Sequence, residues 1–208
     1  LLAYWTFDDQ FGATCLDSSG NRNSASPERK QEPGFERIPG VFGSGLGFST
    51  QHLLRVPEMP GIAAMPKISF SAWVMPAEWI QYNEIFRKED GDNRVLFSFQ
   101  ETGTILSLGL NVNGYIECDA PIDPAQLTDG RWHHCAATFD GRFMRVYLDG
   151  REIGSLERPG TIAAGGPAPG CIGSTIGGEC FQGAMDELRI YKDTLTAEEV
   201  AQLYRNGV

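Results

Sequence analysis

The chain has 208 residues, 41% hydrophobic and 21% charged, the proportions of one ordinary globular domain, which exclude a disordered tail or a long solenoid. Lys and Arg number 17 against 27 Asp and Glu, a formal net charge of −10 that argues against nucleic acid or anionic membrane as partners and leaves neutral ligands, cations or basic partners. The 25 Gly and 12 Pro beside 12 Phe and 4 Trp combine turn formers with large apolar side chains, as expected of many short strands rather than long helices.

The chain opens at Leu1 with neither a basic stretch nor an apolar targeting run, so a targeting signal is expected to have been removed or to lie outside this piece of a larger protein. The longest apolar-rich stretch, residues 68–77, is broken by Ser69, Ser71 and Pro76. It falls well short of the roughly 20 residues that span a bilayer, so no membrane span is expected.

Period-two alternation then recurs along the chain. Ile68, Phe70, Ala72 and Val74 share one face, with Ser69, Ser71 and Trp73 on the other. Val95, Phe97 and Phe99 alternate with Arg94, Leu96, Ser98 and Gln100, and Leu106, Leu108, Leu110 and Val112 with Ser107, Gly109 and Asn111. Three more runs follow: Cys135, Ala137 and Phe139 against His134, Ala136 and Thr138; Met144, Val146 and Leu148 against Arg145 and Tyr147; and Leu188 and Ile190 against Glu187 and Arg189. Asn113-Gly114, Asp140-Gly141 and Asp149-Gly150 separate these runs and suit the positive φ of tight hairpin turns. One helix is legible, residues 197–205, with Thr196 and Glu199 as a capping box and Asn206-Gly207 as its end. Strands without interleaved helices predict an all-β, antiparallel two-sheet sandwich with a short C-terminal helix, forming one domain over residues 1–208. The Gly- and Pro-rich stretch 159–170 reads as one long surface loop.

Five cysteines are present, Cys15, Cys118, Cys135, Cys171 and Cys180, and an odd number leaves at least one unpaired. Cys171 and Cys180 bracket the turn-rich stretch IGSTIGGE, so a hairpin would join them in a disulfide, which suits an exported protein. The other reading is buried, reduced thiols acting as small hydrophobes.

Five segments, YWTFDD, DSSGNRN, SFSAWVMP, DGRWHHCAATFDGRFMRVYLDG and FQGAMDELRIYKDTLTAEEVAQLY, resemble in this order the laminin-G-like group of concanavalin A-like lectin/glucanase domains, over essentially the whole chain. The resemblance implies a jelly roll of two antiparallel sheets, one curved, with first and last strands adjacent. It implies a module that binds rather than catalyses, attached to a larger secreted or surface protein. It also implies one structural calcium ion, carried over onto Asp8, Asn21, Asn23 and Asp186, with Asp9 and Asp17 as extras, since calcium takes hard oxygen ligands. The alternative is that these are turn residues hydrogen-bonded to their own backbone.

Two ligand-binding regions are expected. By parity, Trp73, Gln100, Asn111, His134, Arg145 and Tyr147 point away from the apolar layer and would form one sugar platform of aromatic faces and polar groups. The competing reading buries Trp73, Trp132 and His134 under covering loops. The stretch 76–94, with Trp79, Tyr82, Arg87, Lys88, Glu89, Asp90, Asp92 and Asn93, reads as a rim loop with Trp79 and Tyr82 as exposed anchors. Relatives on this fold that cleave β-glucans carry Glu-x-Asp-x-x-Glu on one strand, as glycoside hydrolysis needs paired carboxylates. Here Glu117-Cys118-Asp119 starts that pattern, but Ile122 stands at the third position and Pro121 interrupts the strand. The expectation is therefore a non-catalytic module binding a glycan or an extracellular protein, at a cell-surface, extracellular or periplasmic location. The alternatives are a glycan-cleaving enzyme using Glu117 and Asp119, or a spacer packed on neighbouring domains of the same polypeptide.

Overall fold

A computed structural model describes residues 1–208 except 10–13, 29–33, 58, 60, 61, 63, 176 and 177. Two antiparallel sheets form it, with the fold class the sequence predicts. In chain order the strands are β1 (Ala3–Trp5), β2 (Ser26–Pro27), β3 (Arg37–Pro39), β4 (Ser44–Phe48), β5 (Leu54–Val56), β6 (Ile68–Pro76), β7 (Tyr82–Asp90), β8 (Asn93–Gln100), β9 (Ile105–Asn111) and β10 (Tyr115–Pro121). The short helix α1 (Pro124–Leu127) follows, then β11 (His133–Phe139), β12 (Phe143–Leu148), β13 (Arg151–Glu157), β14 (Gly170–Ile172), β15 (Gly183–Tyr191) and α2 (Ala197–Arg205). One sheet has eight strands, ordered β13-β12-β11-β6-β15-β4-β3 with β1 also on β15, and the other has seven, ordered β10-β9-β8-β7-β14-β5-β2. First and last strands are adjacent: Ala3 lies opposite Ile190 and Trp5 opposite Leu188.

The core lies between the sheets. Ile68, Phe70, Ala72 and Val74 turn inward from one side, and Phe86, Val95, Phe97 and Phe99 from the other, all fully buried. The Phe70 ring bridges the layers, 5.6 Å from Phe86 and 5.7 Å from Phe97 between centroids. Such aromatic contacts add about 0.5–1.5 kcal/mol each beyond burial. The turn at Asp149-Gly150 has φ of 47° and 75°, positive at both positions as the sequence predicts.

β6 is buried on both faces, which alternation alone does not predict. Its outer residues hold the C-terminal segment. Ser69 Oγ donates to the Asp193 carbonyl at 2.9 Å and accepts from Leu195 N–H at 2.9 Å. The Trp73 ring stacks on Tyr204 of α2, centroids 5.8 Å apart and planes inclined by 25°. The capping box of α2 forms as read: Glu199 N–H donates to Thr196 Oγ1, and Thr196 N–H to Glu199 Oε2.

The expected disulfide is corrected: Cys171 and Cys180, like Cys15, Cys118 and Cys135, are free buried thiols. Cys171 sits on β14 opposite Arg55 and Arg87. Cys180 lies beyond the strand, where its Sγ reaches the Thr50 carbonyl at 3.1 Å and Ser174 Oγ at 3.0 Å. The hairpin geometry that would have aligned them is absent, since Cys180 belongs to no strand; residues 176 and 177 of the intervening stretch lie outside the described set. Burial pushes the thiols of Cys15, Cys118 and Cys171 up to about 11, so few thiolates exist near neutral pH. Alkylation of denatured, non-reduced protein should label every cysteine, whereas native protein reacts slowly; a species with two cysteines protected from the reagent until reduction would contradict the free thiols.

Candidate functional site

The stretch read as a rim loop is mostly strand. β7 covers Tyr82–Asp90, and only residues 77–81 connect it to β6. Two features hide it: a bulge between Glu84 and Phe86 breaks the alternation, and an inward position is held by a lysine. Lys88 lies opposite the core residue Val95, and its Nζ donates to the carbonyls of Ala168 (2.7 Å) and Gly166 (3.2 Å), beneath the loop expected at 159–170. Asp90 pairs with Asn93 across a tight turn containing Gly91 and Asp92. Trp79 is not an exposed anchor: its ring packs on Phe99 at 5.0 Å, and its Nε1–H donates to the Pro124 carbonyl. Tyr82 is exposed, at 37%.

Because Val95, Phe97 and Phe99 fill the core, their neighbours on β8 must face outward. Strand register then assembles two outward rows on the seven-stranded sheet: Glu84, Ser98, Ser107, Asp119, and Arg87, Leu96, Gly109, Glu117. Glu84 and Ser98 of the first row and Arg87, Leu96 and Glu117 of the second floor a groove of about 260 Å³, with Tyr82 and Gln100 at one edge, Arg94 and Tyr115 at another, and Glu179 from the segment before β15. A second depression of about 440 Å³ shares Arg87 and Glu179 and reaches Cys171. A larger hollow, about 700 Å³, lies on the other sheet, but glycine, alanine and apolar side chains supply much of its wall. The charged network is in the smaller groove.

In that groove Arg87 donates Nε–H and Nη2–H to Glu89 (3.0 and 2.6 Å), and Nη1–H to Glu84 (3.1 Å) and Glu179 (2.5 Å). Arg94 forms an ion pair with Glu89 at 2.5 Å, and its guanidinium lies 3.9 Å above the Tyr115 ring centre. Tyr115 lies across Gly109, where a Cβ would come within 2.3 Å of the phenol oxygen, so a side chain there would displace the ring. The phenol O–H donates to Glu117 at 2.5 Å, and Gln100 Nε2–H donates to the same oxygen at 2.9 Å. Ser107 O–H donates to Asp119 at 2.6 Å. Glu84 is 2% exposed, and its Oε2 has no hydrogen-bond partner. Burial raises its carboxyl to about 8, against the opposing pull of Arg87, so it is largely protonated at neutral pH.

The expected single sugar platform is split between opposite faces of the sandwich. Gln100 and Asn111 belong to the seven-stranded sheet, whereas Trp73, His134, Arg145 and Tyr147 belong to the eight-stranded one. Parity distinguishes inward from outward but not one sheet from the other. Trp73 and Tyr147 are each 2% exposed; Tyr204 covers Trp73, and Tyr147 clusters with Val200 of α2. His134 shares a 2.9 Å hydrogen bond with Ser71, and burial lowers its imidazole to about 4, keeping it neutral. Arg145 is tied to Asp140 at 2.7 Å, and Asn111 Oδ1 accepts from Gly114 N–H in the β9–β10 turn. Glu84, Tyr115 and Glu179 were missed. Alternation of Tyr115, Glu117 and Asp119 could have found β10, but a bulge hides Glu84 and irregular chain carries Glu179.

The four residues assigned to calcium divide into two pairs. Asp186 and Asp8 both meet the turn before β4: Asp186 Oδ2 accepts from the N–H of Val41 (2.8 Å) and Phe42 (3.1 Å), and Asp8 Oδ1 from that of Ser44 (2.7 Å). Asp186 Oδ1 is buried without a partner, and burial raises this carboxyl to about 7. Asn21 and Asn23 instead donate to the Leu2 carbonyl, at 3.1 and 2.8 Å. Asp17 accepts from the N–H groups of Tyr4, Ser19 and Asn23 as a turn cap, and Asp9 accepts from Leu16 N–H. Among the described residues, no group of three or more His, Cys, Asp or Glu gathers as a metal site. The orphaned oxygen of Asp186 and the nearby Asp8 suit a hard cation; the two asparagines, placed elsewhere, do not fit that set.

Residues 50–201 match the family described as the concanavalin A-like lectin/glucanases superfamily. Among solved structures, domain 4 of AbnA, a GH43 extracellular arabinanase of Geobacillus stearothermophilus determined with arabinotriose, is 24% identical, with a TM-score of 0.77 over 98% of both chains. The binding domain of Paraclostridial Mosquitocidal Protein 1 is 14% identical, with a TM-score of 0.74 over 99% of this chain and 52% of that one. The binding domain of botulinum neurotoxin DC, determined with SialylT, is 11% identical, with a TM-score of 0.73 over all of this chain and 51% of that one. The chain thus spans about half of the toxin domains, and the likeness at these identities is one of fold.

Proposed function

The chain belongs to the concanavalin A-like lectin/glucanases superfamily, and from that membership and its site we propose that it is a non-catalytic, glycan-binding module of a larger extracellular protein. The carrying observation is the groove on the seven-stranded sheet, where the exposed Tyr82 ring stands beside Gln100, Glu117 and the buried, partnerless Glu84 Oε2. An aromatic face stacks on the apolar face of a sugar, and fixed polar groups hold its hydroxyls. The structures solved with arabinotriose and SialylT support a saccharide on this fold. Glu117 serves as a hydrogen-bonding group in this reading rather than as a nucleophile, since Gln100 and Tyr115 both donate to its Oε1. A glycan array, followed by titration of the best hit, tests the reading. Tyr82→Ala should weaken that hit about tenfold, while an exposed substitution moves stability by no more than about 0.5 kcal/mol. Hits indifferent to Tyr82→Ala would remove the groove as the site.

A structural calcium ion belongs to the same proposal, with Asp186 and Asp8 as its carboxylates. A cation that binds only the folded chain stabilises it by mass action. Calcium should therefore raise the melting temperature and EDTA lower it, and Asp186→Asn should abolish the difference; identical melting curves in calcium and EDTA would end the metal assignment.

A further inference from the structure

The groove's arginines are the natural place to look for ligand charge preference, because a guanidinium is the usual partner of a sugar carboxylate or sulfate. Arg87 is already committed. Arg87 commits Nε, Nη1 and Nη2 to Glu84, Glu89 and Glu179. Arg94 pairs through Nε with Glu89 and lies over the Tyr115 ring, so its charge is already matched by a carboxylate. Glu84, Glu89, Glu117 and Glu179 therefore outnumber the two guanidinium groups that face them. Glu84 lies at the groove floor, its Oε1 accepting from Arg87 and its Oε2 buried without a partner.

We propose that this groove selects neutral, hydroxyl-rich saccharides and turns away anionic ones, an inference that rests on the glycan-binding reading above. Hydroxyl groups donate, and hydrogen bonds to a carboxylate are the stronger, charge-assisted kind. A uronate or sialate would bring a further negative charge beside Glu117 and Glu179, and pairing with Arg87 would require it to displace a glutamate. Glu84, protonated at neutral pH, trims the excess negative charge without reversing it.

The test uses the intact chain on an array of matched saccharides that differ only in an added uronic or sialic acid, with titration of the best matched pair. Neutral members should bind at least tenfold tighter than their acidic partners. In the Glu89→Gln, Glu179→Gln double variant, which unties Arg87, that ratio should shrink about tenfold, with folding confirmed by circular dichroism. Acidic members that bind as tightly as neutral ones, at a site weakened by Tyr82→Ala, would overturn the selectivity while leaving the glycan-binding reading intact. An unchanged ratio in the folded double variant would also overturn it. Binding of no saccharide of either kind would bring down the glycan-binding reading itself, and the selectivity with it.

Discussion

Trp73→Ala should destabilise the protein by about 3–5 kcal/mol, as is usual when a buried Trp or Phe is truncated, and should lower the melting temperature without a direct effect on ligand affinity. The indole is 2% exposed, enclosed by His134 at 5.3 Å and by Tyr204 of α2 at 5.8 Å between ring centroids. Removing it leaves a void beneath the helix, and α2 loses the ring that anchors it. Tyr204→Ala, which deletes only the covering ring, should cost less, about 1–2 kcal/mol. Thermal melts of both variants, paired with titration of the glycan hit, check this. Loss of binding with an unchanged melt would restore Trp73 to a recognition platform.

The second large effect is a pH dependence traced to Glu84. In the unfolded chain this carboxyl releases its proton near the ordinary value of 4.5, whereas in the folded protein burial holds the proton up to about 8. Across that window the unfolded state binds fewer protons than the folded one, so stability falls as pH rises, by at most about 1.4 kcal/mol per unit. Arg87 opposes part of the cost, and the total loss between pH 5 and pH 8.5 should be about 2–4 kcal/mol. Asp186, raised to about 7 by burial, contributes with the same sign over a lower range. Glu84→Gln stays neutral throughout, so it should gain stability relative to the parent as pH rises. Urea denaturation of both proteins at pH 5, 7 and 8.5 measures the difference; parallel curves would show that Glu84 is ionised in the native state.

The ordering of elements was legible because it is local. Alternation in residues 68–74, 94–100, 106–112, 134–139 and 144–148 lies within β6, β8, β9, β11 and β12 or their ends, and the Thr196–Glu199 capping box marks the start of α2. Short strands such as β2 and β14 carry too few residues for a pattern. β7 was hidden by its bulge and by Lys88, whose inward course makes sense only once the carbonyls of Gly166 and Ala168 are above it.

What the sequence by itself determined was which side chains face inward on the strands of unbroken alternation, because a strand places successive residues on opposite faces whatever its neighbours. What only the tertiary structure decided was which outward faces belong together. Trp73 and Gln100 share the outward parity, yet the sandwich sets them on opposite sides and α2 covers one of them. Glu84 and Glu117, 33 positions apart in the chain, come to one groove through three ladders of strand pairing. Pairing between strands distant in the chain depends on the summed burial of both sheets, and no short stretch of residues carries that sum.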